Sequence, residues 1–416
     1  MSRPDAPPGE LRSAIVRGGW RDGHCVLAPD KFKGSLTAPE VAAHLATGLR
    51  RVRPDLPLVT MPVADGGDGT VDAVVESGFV RFQTSVTGPL GVPVAASFAM
   101  RGEAAVVELA EASGLRRLPM RPTCQTAMSA TSYGTGELIR AAALRGARQV
   151  VLGLGGSACT DGGVGMMSAL GVRFLDEHDR ELPPGAAALS RLARIDAADM
   201  LQVSVIVASD VDNPLLGPRG AAQVYGPQKG ARPREVDELE WGLARLASIV
   251  ERDLGAAVAQ RPGAGAAGGV GYAALAFLGA SVRPGIELIL ELMSFTEQVR
   301  GARLVITGEG SLDPQTLHGK APVGVARAAA SASVPVVAVA GQRALTDEQL
   351  RGAHIEAAYA LTDLEPDPEV CIAQAGPLLE QLAGERGGAG VGAAGHASYG
   401  VELPAGRAAG REPRGR

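Results

Sequence analysis

The chain has 416 residues, a net charge of −5 and 46% apolar residues, enough for two or three domains with sizeable cores. The mild acidity argues against a nucleic-acid or anionic-membrane partner, and no long apolar run is free of charge, so no segment is expected to span a membrane. Four scattered cysteines with no C-x-x-C pattern suit a reduced, cytoplasmic protein.

Residues 1–22 lack the apolar core of a signal peptide and are expected to be a disordered extension. Strand-like runs follow at "HCVLAP" (24–29) and "PLVTMPVA" (57–64), with helix-period segments at 37–51 and 69–77. From residue 79 the pattern changes. "RFQTSVTGP", "VPVAASFAM" and "AAVVELAEA" succeed one another closely and read as hairpin-connected strands. A helix near 133–146, the strand "QVVLGLG" (149–155), a helix near 162–171 and the strand "VSVIVAS" (203–209) come next. The first pattern then resumes. Helical segments at 286–300, 321–331 and 345–353 alternate with "ARLVITG" (302–308), "VPVVAVAG" (334–341) and "AAYALTD" (357–363). Residues 384–416 are rich in Gly, Ala and Arg, cannot bury enough surface to fold, and are expected to be a disordered tail.

Strand–helix alternation implies a parallel sheet with helices on both faces. The expected fold is α/β: a doubly wound parallel sheet domain from residues 23–78 plus 286–383, with a second α/β domain of mixed sheet, residues 79–285, inserted. Five strands suit a 2-1-3-4-5 order, which opens a ligand crevice at the carboxyl ends of the first and third strands.

Those ends carry polar residues. Arginine appears 36 times and lysine only four, and Lys31, Lys33, Lys229 and Lys320 all lie in Gly- or Pro-punctuated stretches. A compact ammonium on a flexible stem suits a transferring phosphoryl group where arginine's rigid fork does not; the alternative is four surface survivors of a codon bias. "APDKFKGSL" supplies Asp30, Lys31, Lys33 and Ser35. "ADGGDG" (64–69) holds Asp65 and Asp68 across Gly66 and Gly67. Such carboxylates bind Mg²⁺ or act as a general base; a tight turn with Asp68 capping the next helix is the alternative. "TSYGTGELI" (131–139) reads as a helix start capped by Ser132 or Thr135.

In "GLGGSACTDGGVG" (153–165) the amides of Gly155, Gly156 and Ser157 suit an anion, with Asp161 nearby. Its G-x-G-x-x-A is a weak dinucleotide fingerprint. "ASDVDNPLLGP" (208–218) carries Asp210 and the chain's sole asparagine, Asn213, as an Asx turn or as a ligand contact. "YGPQKGA" adds Gln228 and Lys229. "TGEGSLDPQTLHGK" (307–320) gathers Gly308, Glu309, Asp313, His318 and Lys320, a set that suits a metal–phosphate site or, more simply, a polar loop turned by Asp313 before Pro314.

Together with "VTGPLG" and "PGAGAAGG", these stretches occur in the order found in the bacterial glycerate kinases of the type-1 group, and residues 23 to about 383 resemble that family. The resemblance implies a flavodoxin-like domain with a second α/β domain inserted. It also implies ATP-dependent, Mg²⁺-assisted phosphorylation of D-glycerate, usually on the 2-hydroxyl, in glyoxylate and sugar-acid catabolism. Lys31 stands where many members have Ser, Thr160 where Asn is frequent, and Ser311 where Arg is frequent. On chemistry and placement, Asp65 or Asp68 is expected to take the hydroxyl proton. Asp313 and Glu309 are expected to hold Mg²⁺, and Lys33 and Lys320 to neutralise the transferred group. Lys229 and Asn213 are expected to close over the site. The molecule is expected to be a monomer or homodimer whose partner is the small-molecule substrate. Three rival readings stand beside this one: 3-hydroxyl phosphorylation, a nicotinamide-dependent 2-hydroxy acid dehydrogenase resting on the lone fingerprint, and a non-catalytic sensor.

Overall fold

Every residue of strand β1 (Cys25–Pro29) is buried, as expected for a central strand covered on both faces. The computed structural model describes residues 23–384; the expected extension and all but the first residue of the expected tail lie outside the described residues. The remaining strands in chain order are β2 (Leu58–Thr60), β3 (Val80–Thr87), β4 (Pro93–Arg101), β5 (Ala104–Glu108), β6 (Gln149–Gly153), β7 (Arg173–Leu175), β8 (Arg194–Asp196), β9 (Ser204–Ala208), β10 (Ser281–Arg283), β11 (Leu304–Leu312), β12 (Val336–Arg343) and β13 (Ala357–Ala360).

The first sheet runs β2-β1-β11-β12-β13 and is parallel throughout, the expected 2-1-3-4-5 order. The second runs β3-β4-β5-β6-β9-β10. Its β3-β4 and β4-β5 pairs are antiparallel and the rest parallel, so it is a mixed sheet built between residues 80 and 283. Strands β7 and β8 form a small antiparallel pair.

Three apolar layers hold these sheets. On the outer face of the first sheet, Leu27, Ile306 and Val337 meet Leu45, Leu49 and Leu379 of the helices Ala38–Val52 and Ala375–Gly384. Between the sheets lie the helices Thr70–Glu76, Gly285–Leu292 and Ala321–Ser331. Their Val71, Val74, Ile289 and Val325 pack at once with Val26 of the first sheet and with Val106, Val151 and Ala208 of the second. Beyond the second sheet, Phe98, Leu152 and Val207 pack with Leu138, Met166, Leu243 and Tyr272. Each fully buried Leu, Ile or Val contributes about 1.5–3 kcal/mol, so the shared middle layer fixes the two sheets against one another.

Some elements differ from expectation. The segment 286–300 is broken into Gly285–Leu292 and Phe295–Gln298, because Ser294 adopts φ 54°. Of the long "PLVTMPVA" run only three residues form a regular edge strand, although the Met61 and Val63 amides still donate to Leu27 O and Pro29 O of β1. The 22-residue helix Pro233–Leu254 was missed, although Pro233 opens it and Gly255 closes it at φ 70°. Among the described residues, no helix is long and apolar enough to cross a membrane.

Glycines stand where the loop after β2 meets the second sheet. A Cβ on Gly155 would stand 2.4 Å from Gly67 Cα, and one on Gly153 would stand 2.5 Å from Gly66 O. The loop after β2 therefore rests directly on the backbone after β6. Gly155→Ala is expected to cost about 1–3 kcal/mol by overpacking and to displace residues 65–68. The check is a lowered thermal midpoint together with reduced turnover; wild-type values for both would refute the contact's importance.

Candidate active site

Asp30 follows the last residue of β1, and its amide donates to Gly308 O on β11 at 2.8 Å. That bond carries the first sheet's ladder one step beyond the strand and places Asp30 beside Glu309, at the carboxyl ends of β1 and β11. Lys31 follows; its ammonium lies 3.6 Å from Asp30 and donates to the Asp68 carbonyl at 2.9 Å. Phe32 is buried and pairs with Leu36 across a turn, which holds Lys33 and Ser35 at the rim. Residues 65–68 arrive from the end of β2, and Glu309–Asp313 extend from β11. Together these stretches line a cavity of about 610 Å³. Asp30, Lys31, Lys33, Ser35, Asp65, Gly67, Asp68, Gly156, Glu309, Asp313 and Lys320 all reach it.

The electrostatics are those of crowded carboxylates held in check by cations. Burial pushes the Asp30 carboxyl up to about 7; Lys31 opposes this, while Asp65 and Glu309 add to it. Glu309 is also raised, by burial first and by Asp313 and Asp65. The Thr316 hydroxyl, donating at 2.5 Å, and Lys320 pull it back. Lys320 Nζ sits 3.6 Å from Glu309 and 3.7 Å from Asp313. Burial disfavours the Lys31 ammonium, but Asp30, Asp65, Asp68 and Glu108 outweigh it and its pKa rises. The two aspartates of the glycine loop are unlike. Asp68 is ion-paired to Arg116, whereas Asp65 Oδ1 accepts only its own loop's Gly67 amide, at 3.2 Å, among the described hydrogen bonds.

Two participants escaped sequence reasoning. Arg116 lies on a short turn after β5 and lines the cavity opposite Asp68, with no motif around it. Glu108, the last residue of β5, accepts from the amides of Gly69, at 3.2 Å, and Val71 at the start of helix Thr70–Glu76. This is the anchoring expected of Asp68 as a cap; the N-cap residue is instead Gly69, and the carboxylate comes from the second sheet. Burial pushes Glu108 up to about 8. An acid raised on folding binds more protons folded than unfolded, so its contribution is fully present below its ordinary value of 4.5 and is lost as pH climbs through about 8. The ligand-free protein is expected to lose stability between pH 5 and 8, and Glu108→Gln to flatten that decline, with Asp30 retaining part of it. Thermal midpoints across this range test the point; equal slopes for both proteins would refute it.

Other expected ligand contacts are placed elsewhere. Lys229 is 2% exposed and donates to Cys159 O at 2.5 Å, its pKa lowered by burial to about 8. Asp161 is buried and accepts from the Ser132 amide and hydroxyl and from the Gly163 and Gly165 amides at 2.8–3.2 Å. It thus ties together the starts of the helices Tyr133–Leu144 and Val164–Ala169; the expected cap from the Ser132 or Thr135 side chain is absent. Asn213 braces a turn by donating to Arg219 O and accepting from the Tyr225 hydroxyl, both at 2.7 Å. Gln228, next to Lys229 in sequence, is exposed. Ser157 is bridged to Gly114, the Gly155 amide is given to Gly66 O, Gly66 packs on Ala208, and Gly308 lies against Val339 O. Asp210 accepts from the Gly285 amide at 3.0 Å and lines a smaller crevice with His318.

A cavity at the switch point of a parallel sheet, lined by lysines and carboxylates on glycine-rich loops, suits handling of a phosphorylated ligand. Comparison with known proteins narrows this. The sequence profile of the glycerate kinase family matches residues 25–387. The chain belongs to the glycerate kinase family. A glycerate kinase of Halalkalibacterium halodurans is 44% identical over 365 residues, 86% of this chain and 96% of the relative. A glycerate 2-kinase of Escherichia coli is 44% identical over 331 residues, 78% of this chain and 86% of the relative. A solved structure of a Salmonella typhimurium LT2 protein designated glycerate kinase 2 superposes with a TM-score of 0.76 at 39% identity, covering 88% of this chain and 97% of its own. As a member of the glycerate kinase family the chain is a phosphotransferase with a small-molecule substrate, and the fold expected from the family resemblance is the one observed.

Proposed function

We propose that the cavity transfers the γ-phosphoryl group of ATP to the 2-hydroxyl of D-glycerate, giving 2-phospho-D-glycerate and ADP. The observation that carries the reading is the convergence of Lys31, Lys33, Lys320, Asp65 and Glu309 on one cavity in a glycerate kinase family chain. The Escherichia coli relative named as a 2-kinase supports the 2-position.

Phosphoryl transfer needs positioning and charge neutralisation more than covalent chemistry. Asp65 takes the hydroxyl proton as the oxygen attacks. Arg116, held by Asp68, faces the glycerate carboxylate, for which a guanidinium fork is suited. Lys33 and Lys320 stabilise charge on the transferred group, and Lys31 pairs with Asp30 and offsets part of the burial that raises its carboxyl. Mg²⁺ fits the donor set: Glu309 and Asp313 stand together on either side of the Lys320 ammonium, and Glu309 is raised in part by other carboxylates, a repulsion that a cation relieves. Among the described residues no three His, Cys, Asp or Glu form a preassembled cage. A nucleotide-bound Mg²⁺ does not need one, since one or two carboxylates and the phosphates suffice. When bound, the metal would neutralise phosphate charge.

The test is ADP release with ATP, Mg²⁺ and D-glycerate, with the product resolved by phosphorus NMR. A 2-phosphoglycerate signal dependent on glycerate supports the reading. A 3-phosphoglycerate signal overturns the position, and no phosphoglycerate overturns the kinase assignment.

A further inference from the structure

The cavity is divided by charge. Its ionisable lining, Asp30, Lys31, Lys33, Asp65, Asp68, Arg116, Glu309, Asp313 and Lys320, comes from the C-terminal part of β11 and from the segments after β1, β2, β5 and β11. The opposite wall is built from the C-terminal end of β12 and the segment after β13 and consists of Gly341, Gln342, Leu361, Thr362, Pro368, Cys371 and Ile372, with no ionised side chain. Glycerate needs a cationic partner for its carboxylate, and this wall provides none; setting a carboxylate against it carries a desolvation cost without return. The volume of about 610 Å³ also exceeds what a three-carbon acid fills and falls within the roughly 300–1,000 Å³ of sites for larger ligands.

Building on the ATP reading above, we propose that this uncharged wall seats the base of the nucleotide, packed on Leu361, Pro368 and Ile372, with Gln342 and Thr362 meeting its polar edge. The phosphates then run along the cavity toward Lys33 and Lys320. Ile372 is 53% exposed at the rim, a large apolar side chain that a flat base would cover. The Gln342 amide donates to Ser311 Oγ at 3.2 Å, which orients the side chain and leaves its second N–H and its carbonyl oxygen for a base edge. The wall is preformed. The Asp363 carboxylate accepts from the Ala360 amide at 2.9 Å and closes the turn Leu361–Asp363. Asp367 caps the helix Pro368–Ala373 by accepting from Glu369 at 2.9 Å, and Cys371 is buried beneath. A rigid wall reduces the ordering cost of binding.

Calorimetry on the full chain separates the two ends. Inorganic tripolyphosphate probes the charged end alone, and ADP probes both. Ile372→Asn alters an exposed side chain, and Gln342→Ala is a second variant should the first fold poorly. Each is expected to weaken ADP at least fivefold, to leave tripolyphosphate within twofold of wild type, and to raise the KM for ATP without raising that for glycerate. Unchanged ADP affinity in a folded variant, or equal weakening of both probes, overturns the base seat while leaving the kinase reading intact. A wild-type protein that turns over no ATP and binds no ADP overturns both.

Discussion

Asp65→Asn is expected to lower kcat about 10³-fold with little change in thermal midpoint. A positioned general base contributes roughly 10²–10⁴-fold to such a step. Asn keeps the side chain's shape and the oxygen that accepts the Gly67 amide, so the turn survives, but it cannot take a proton. The structure separates the two candidates that sequence left equal. Asp68 is ion-paired with Arg116, and its carbonyl accepts from Lys31, and we propose that it holds these cations in place. Asp68→Asn is accordingly expected to act chiefly on the KM for glycerate, through a less constrained Arg116. Turnover at saturating substrate decides the matter: if Asp68→Asn loses the thousandfold and Asp65→Asn keeps near-full activity, the base is Asp68.

Lys320→Ala is expected to lower kcat/KM by about 10²–10³, the range found when a preorganised group facing developing charge is removed. Lys320 lies between Glu309 and Asp313, at 3.6 and 3.7 Å. Without it, a mostly buried carboxylate already raised by burial loses one of the two partners that pull it down, and the charge meeting the phosphates becomes more negative by one. Lys320→Arg should recover only part of the loss, because a planar fork does not fill the place of a compact ammonium. The side chain is part-exposed, so the change in stability should be small. Activity of Lys320→Ala within a few-fold of wild type would remove the lysine from phosphate handling.

Much of this molecule was legible because strands and helices are encoded by short-range patterns. The alternation around residues 24–64 and 302–363 specified a parallel sheet, and parallel crossovers restrict the order so strongly that 2-1-3-4-5 followed. Loops at the carboxyl ends of such strands must share one edge, so Asp30, Asp65, Glu309 and Asp313 could be brought together from pattern alone. Lys33 and Lys229 show where this stops. Both lie in glycine-punctuated stretches, yet one stands exposed at the cavity rim while the other is buried against Cys159 O. Asp68 and Asp161 likewise both precede glycine and a short helix; one faces the cavity, and the other is enclosed by five hydrogen bonds. Glu108, Arg116 and the wall from Leu361 to Ile372 carry no local motif, and their roles arise from closeness to residues far away in the chain. Periodicity states which face of an element avoids water, because that depends on neighbours a few residues away. Which buried groups then meet is set by how the helices of the middle layer seat both sheets at once, and no short stretch of chain contains that information.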